Sequence, residues 1–217
     1  MSERPSPNPV QKVGDARIDI AVRMTGAFGQ PGLFGNAILI NLLMPLLGGH
    51  IMRLGSMNLV ASFPGAKMQH IHRDNPHLFE DFPHIGPALP LYAINVSIPL
   101  IDIDNSIGPT AIWPGSHRSP SIQMSPAAMQ TVPFQRGDCI LMDYRTLHAG
   151  SPNVSNTVRP ILYLVYGREW FFDGGNHRHR VPLDMLLEDI LALPQELHSL
   201  MLRAHQQVAR IKQYALA

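Results

Sequence analysis

Residues 92–102, YAINVSIPLID, alternate along their length: Tyr92, Ile94, Val96, Ile98 and Leu100 share one face, and Ala93, Asn95 and Ser97 the other. Successive side chains of a strand leave opposite faces, so the stretch predicts a half-buried β-strand. Outward from it, TAIWP at 110–114, GDCILMDY at 137–144 and RPILYLVYGREW at 159–170 read as further short strands. They are separated by the turn PGSH at 114–117 and by a loop carrying Gln135, Arg136 and Gly137. On the N-terminal side, IMRLGSMNLVASF at 51–63 is a strand closed by Pro64 and Gly65, and KMQHIHRD at 67–74 is expected to form another. Short strands with Gly and Pro at their turns predict a mainly β antiparallel sandwich or barrel rather than alternating βα units.

Helices are expected to flank the strands. NAILINLLMPLLGG at 36–49 reads as a buried helix that stops at Gly48 and Gly49 and packs outside a sheet. From Pro194, the residues Leu197, Leu200, Met201, Ala204, Val208 and Ile211 recur at helical spacing, so residues 184–217 are assigned to C-terminal helices. Residues 15–35 change character too often, around Gly26, Gly29, Gly32 and Gly35, to be assigned an element. Residues 1–10 read as a disordered tail without an apolar signal core.

A length of 217 residues suits one domain with a single core, spanning 1–217. Hydrophobic residues at 45% against charged ones at 15% exclude a mainly disordered chain. Seventeen Lys plus Arg against sixteen Asp plus Glu leave a formal charge of +1, so no net field draws the chain to nucleic acid or to an acidic membrane. The expected partner is a small molecule. The longest apolar stretch, residues 37–47, is broken by Asn41 and Pro45 and falls short of the roughly 20 residues a membrane helix needs. The single cysteine, Cys139, excludes an internal disulfide framework and a cysteine-rich zinc site, and fits a reducing compartment, the cytoplasm.

Among eleven histidines, two places stand out. In QHIHRDNPH at 69–77, His72 and Asp74 lie two apart, so a strand would send both side chains from one face toward a single metal ion. His70 shares that parity. Alone, a His-x-Asp triplet is more often just polar surface. A third ligand is offered by His148, just past the apolar strand 139–142 and before a turn. Two imidazoles and one carboxylate on one side of a metal leave open positions that suit non-haem Fe(II). Arg159 follows eleven residues later, where its guanidinium would hold a carboxylate by two parallel hydrogen bonds. That role implies a carboxylate-bearing co-substrate; the other reading of Arg159 is a strand-end salt bridge.

These residues resemble the phytanoyl-CoA dioxygenase family of Fe(II)- and 2-oxoglutarate-dependent oxygenases, over roughly Asn36 to Trp170. The resemblance is carried by Gln69 with His72-x-Asp74, by GPTAIWPGSHR at 108–118, and by GDCILMDYRTLHAGSPNVSNTVRP at 137–160. It implies a double-stranded β-helix, the cupin-like jelly roll, with Fe(II) on His72, Asp74 and His148. It also implies 2-oxoglutarate as co-substrate, its distal carboxylate on Arg159 and its other contacts from Gln69 and Thr110. Positions 69 and 72 lie on opposite faces of a regular strand, so the role of Gln69 requires a bend or bulge. Thr110 is also a natural strand residue, and Ser151 is a further candidate.

Hydroxylation or a kindred oxidation of a small organic substrate by O2, with release of succinate and carbon dioxide, is the activity this resemblance implies. Asp74 argues against the related halogenases, which carry a small residue there. Family members usually have a longer N-terminal region; here about 35 irregular residues precede the matching part, so part of the pocket is expected to be missing, reduced or supplied by a second subunit. Two other classes stay open: a jelly-roll metal-binding module without turnover, and a cupin-like metal isomerase or hydrolase that needs neither oxygen nor Arg159.

The remaining features carry paired readings. NPHLFEDFPHIGPALP at 75–90 is a lid or an ordinary surface loop, with Phe79 and Phe82 available to an apolar substrate. NHRHR at 176–180 meets an anionic substrate or is a solvated loop. Trp113, Trp170 and the C-terminal apolar stripe are core or homodimer contacts. Cys139 is expected as inert packing in its strand, and His117 as a residue that shapes the PGSH turn.

Overall fold

Short runs of alternating residues, each ended by a glycine, a proline or a tight turn, fold into nine strands among the described residues of this computed structural model, namely 9–49, 51–121, 123, 125–177 and 181–207. They are β1 (Val10–Gly14), β2 (Arg17–Ala21), β3 (Met52–Ser62), β4 (Ala93–Pro99), β5 (Thr110–Ile112), β6 (Gln130–Val132), β7 (Ile140–Asp143), β8 (His148–Gly150) and β9 (Arg159–Arg168). A larger antiparallel sheet runs β1-β2-β3-β9-β4-β7, and a smaller one β6-β5-β8. This is the mainly antiparallel architecture expected.

The central strands of the larger sheet, β3, β9 and β4, are covered on both faces. The sheet's outer face carries the rows Ile20–Leu59–Leu162–Ile98 and Met57–Leu164–Val96–Leu141. These rows meet the helix Ala37–Leu46 through Leu39 and Leu43, and the C-terminal segment through Leu200, Met201 and Ala204. The expected helix is capped by Asn36, whose side chain accepts from the amides of Ile38 and Leu39. Burying Leu39 and Leu43 is worth roughly 1.5–3 kcal/mol each, and that burial fixes the helix against the sheet. The inner face carries the rows Gln11–Asp19–Val60–Ile161, Asn58–Tyr163–Ser97 and Ser56–Val165–Asn95–Met142.

One residue keeps those faces apart. Leu54 pairs with Tyr166, and Ser56 with Val165, so Gly55 is bulged out of the β3–β9 ladder. Side chains alternate strictly in an unbroken strand, so the parity that buries Leu54 in the outer core would send Ser56 and Asn58 there as well. The bulge inverts the parity, and Met57 and Leu59 join the core instead.

Several expectations are corrected. Residues 67–74 form no strand: the polar, charged run has too few apolar side chains to hold a ladder, and contributes one bridge, His72 to His148. Within residues 15–35 lie β2, a 3-10 turn at Gly26–Gly29 and a short helix at Pro31–Phe34. β4 is buried on both faces, because its polar side lines the interior between the sheets. Cys139 is exposed and precedes β7, and Trp170 is 60% exposed, whereas Trp113 packs with Ala111, Leu147 and Ala149. The tail expected through residue 10 gives way to β1 at Val10; residues 1–8, 178–180 of the NHRHR cluster, and 208–217 with Val208 and Ile211 lie outside the described residues. The C-terminal part contains short helices at Leu187–Leu191 and Gln195–His198.

Candidate metal centre and its cavity

His148 opens β8, which pairs with β5 so that Thr110, His148 and Gly150 point into the space between the sheets. The irregular segment 69–74 lies along the free edge of β8. The Gln69 amide donates to the Gly150 carbonyl at 3.0 Å, and His72 exchanges backbone hydrogen bonds with His148 at 3.0 and 2.9 Å. Candidate donor atoms of His72, Asp74 and His148 thereby come within 4.8 Å of one another, and among the described residues this is the one group of His, Cys or carboxylate side chains so placed. His70, which shares the parity of His72, stacks on it at 4.9 Å between ring centroids and stays outside the group.

Both imidazoles are oriented by the backbone. His72 Nδ1 lies 2.9 Å from the His70 carbonyl, and His148 Nδ1 lies 3.0 Å from the Thr146 carbonyl. A carbonyl only accepts, so each Nδ1 carries a proton, and Nε2 is the nitrogen through which each ring would bind a metal. Asp74 is held at three atoms: Oδ1 faces His148 Nε2 at 3.3 Å, Oδ2 accepts from Asn95 Nδ2 at 2.8 Å, and its carbonyl accepts from Asn176 Nδ2 at 2.6 Å. Burial works against the Asp74 charge, but the neighbouring His148 and the hydrogen bonds from His148 and Asn95 prevail and hold its carboxyl below the ordinary value. His148 is shifted upward: burial opposes its charge, and Asp74 outweighs burial. His72 is lowered by burial and by His148. The donor set of two imidazole nitrogens and one carboxylate fits a divalent iron.

At the other end of the cavity, Arg159 heads β9 with 1% of its surface exposed. One guanidinium nitrogen donates to the Gly108 carbonyl, while Nε is buried without a partner, an arrangement that fits an incoming carboxylate. Tyr163, on the same face of β9, hydrogen-bonds Thr110. Burial raises its phenol, and Arg159 pulls it partly back. Gln69 reaches this region by the bend its position required. Its Nε2 donates to the Val13 carbonyl and its Oε1 accepts from the Gly150 amide, both at 2.9 Å, so the amide is engaged at both ends. Only glycine admits that approach, since a Cβ on residue 150 would lie 2.6 Å from Gln69 Oε1. Behind it, Arg17 donates to the carbonyls of Lys67 and Ser151 at 3.2 and 3.1 Å, and burial with the Arg159 charge lowers its pKa to about 10.

Ser151 contributes that carbonyl and does not line the cavity. Phe79 and Phe82 of the 75–90 segment are 58% and 61% exposed and lie outside the lining, so that segment is no lid here. The rim is formed instead by Asn176, bonded to the Asp74 carbonyl and to Asp173, which Tyr144 also holds at 2.6 Å. The PGSH turn ties together the two segments that carry the candidate ligands. Arg73 donates to the Ser116 carbonyl at 3.0 Å, and Ser116 Oγ accepts from the Leu147 amide at 2.8 Å. His117 lies in the turn's helical residues, outside the cavity. Sequence reasoning missed Arg17, Asn95, Tyr144, Tyr163 and Asn176. For Asn95 and Tyr163 a signal existed: each is a polar or phenolic side chain at an inward position of an otherwise apolar strand.

The family model for phytanoyl-CoA dioxygenase (PhyH) matches residues 14–161, so the likeness begins at the end of β1 rather than at Asn36. A dioxygenase, aneA, of Aspergillus aculeatus is 28% identical over 160 residues, covering 70% of this chain and 53% of that protein. A dioxygenase, ALT11, of Alternaria alternata is 25% identical over 171 residues, covering 77% and 50%. The chain thus spans about half the length of these curated relatives. Among solved structures, HygX from Streptomyces hygroscopicus with nickel, 2-oxoglutarate and hygromycin B bound superposes with a TM-score of 0.60 at 14% identity, covering 72% of each chain. The epimerase SnoN in complex with Fe3+, alpha ketoglutarate and nogalamycin RO gives 0.59 at 18% identity, covering 77% of this chain and 72% of that one. At such identities the structures speak for the shared jelly-roll fold; the match across two thirds of the sequence makes this chain a member of the phytanoyl-CoA dioxygenase family.

Proposed function

We propose that the chain is an Fe(II)- and 2-oxoglutarate-dependent oxygenase that hydroxylates or otherwise oxidises a small organic metabolite of the secondary-metabolism kind, releasing succinate and carbon dioxide. The observation that carries this reading is one cavity that joins the His72, Asp74 and His148 cluster to a buried guanidinium whose Nε has no partner. His72, Asp74 and His148 hold the metal. Arg159 takes the distal carboxylate of 2-oxoglutarate, with Thr110 and the Tyr163 hydroxyl beside it and Gln69 bordering the same space. Bound iron supplies the redox chemistry by which O2 decarboxylates the 2-oxo acid and oxidises the substrate.

The chain's own residues set the geometry for that chemistry. Asn95 occupies Asp74 Oδ2 and leaves Oδ1, on the His148 side, for the metal. Arg159 is almost wholly buried, so its pairing with a carboxylate is stronger than at a surface. A metal isomerase or hydrolase does not require such a buried cation, whereas a 2-oxo acid with a distal carboxylate does. The reading also takes O2 as co-substrate and the cytoplasm as the compartment, supported by the lone exposed cysteine. No helix among the described residues is long and apolar enough to cross a membrane.

The test is iron-loaded protein given 2-oxoglutarate, first without oxygen and then with it. A weak visible charge-transfer band in the first step and slow succinate formation in the second are the expected results. Iron bound at one equivalent with neither signal would overturn the oxygenase reading and leave a metal-binding module.

A further inference from the structure

The inner wall formed by β1, β2 and β3 borders the same cavity, of about 240 Å3, but carries none of the residues assigned to metal or co-substrate. Gln11, Asp19, Ser56 and Asn58 all line it, on sheet positions whose opposite face is apolar core. Asn58 Nδ2 donates to Asp19 Oδ1 at 2.9 Å, which leaves the Asn58 carbonyl oxygen as an acceptor. Asn95, 5% exposed, adds another: its Nδ2 is committed to Asp74, and its Oδ1 is buried without a partner. The carboxylate of Asp74 accepts only, so the Asn95 amide cannot turn around to exchange these roles. The aliphatic part of the lining is three valines, Val13, Val60 and Val165.

A wall of this kind is rich in acceptors, and the apolar side chains it offers are short valines. A hydrocarbon chain laid along it would strip water from the amide oxygens and replace none of their hydrogen bonds, which weakens binding by roughly 5-fold to 150-fold for each group left unpaired. A ring bearing several hydroxyls meets the same groups with donors. We propose that the substrate of this cavity is polyhydroxylated, a glycoside or cyclitol, and that the β1–β3 wall with Asn95 selects it against fatty-acyl chains. This rests on the oxygenase reading for what happens to the substrate, though not for its binding.

Saturation-transfer NMR on protein loaded with nickel(II) and 2-oxoglutarate tests it without turnover. The probes are methyl β-D-glucopyranoside and myo-inositol on one side and decanoate on the other, each on the wild type, on Asp19→Asn, which keeps the side-chain shape, and on Asn58→Leu. Saturation of a polyol but not of decanoate, with at least a 5-fold loss of polyol affinity in either variant, is the expected result. Thermal melting identifies a variant that fails to fold, and Asp19→Asn then carries the comparison. Decanoate binding in place of the polyols, binding of neither, or polyol affinity unchanged in both folded variants would overturn the proposal. A parallel 2-oxoglutarate titration separates the two readings. Polyol binding without 2-oxoglutarate binding defeats the oxygenase and spares the wall; the reverse defeats the wall alone.

Discussion

The two arms of the candidate metal centre are built by different means. His148 sits on a strand whose backbone is bonded to β5 on one side and to residues 69–72 on the other, so its position follows from regular pairing. His72 and Asp74 sit on a segment with no strand of its own, fixed by side chains from distant parts of the chain: Gln69 to Val13 and Gly150, Arg73 to the 116–121 turn, and Asn95 and Asn176 to Asp74. A ladder positions a ligand through many equivalent bonds, whereas tethers do so through a few individual ones. The irregular arm is therefore the one that single substitutions should disturb.

The sharpest test of that contrast is Asp74→Ala, which removes the only carboxylate of the group. Stoichiometric iron and succinate formation are both expected to be lost while the fold persists, as read by metal analysis and circular dichroism. Next in size, Arg159→Lys lies outside both arms and should spare iron. Replacing a planar fork by a point charge is expected to weaken 2-oxoglutarate binding about 10-fold to 150-fold, measured by titration of the iron-loaded protein. Equal affinity would remove Arg159 from the co-substrate site.

Asn95→Ala cuts a tether of the irregular arm, its bond to Asp74, without replacing any of the candidate ligands. Loss of such a supporting bond typically costs about 10-fold to 100-fold in metal affinity, read here by competition with a chelator. If Asn95→Ala binds metal like the wild type, positioning by tethers is wrong and the edge pairing with β8 suffices. The smallest effect is expected for His70→Ala. The His72 ring is oriented by the His70 carbonyl rather than by its imidazole, so iron binding should stay within a few-fold of wild type. An emptied site in that variant, with iron retained in Asp74→Ala, would reassign the ligands.

The same division explains what was legible in the sequence. Strand periodicity and glycine or proline stops are local signals, and they located β3, β4, β5, β7, β9 and the helix after Asn36. The ligand candidates were legible because metal chemistry demands particular residue types at particular intervals. The tethers were not. Asn95 and Asn176 lie 21 and 102 residues from Asp74, and nothing within a few residues of an asparagine announces a partner so far away. Residues 67–74 misled for the opposite reason: an alternating pattern was visible, but a pattern of polar side chains lacks the apolar burial that holds a strand in a sheet.

Gly55 carries a consequence out of proportion to its size. A one-residue bulge in β3 decides which half of that strand faces water-loving chemistry and which faces oil. Removing the residue would leave both faces as they are, because Leu54 and Ser56 already pair with successive residues of β9. Straightening the bulge with Gly55 kept in the ladder would instead slip one half of the strand by a single step, turning Met57 and Leu59 toward the cavity and Ser56 and Asn58 toward the helix without altering any side chain. A wet wall and a greasy one are therefore separated by a single step of register in β3, rather than by the replacement of every side chain on the wall.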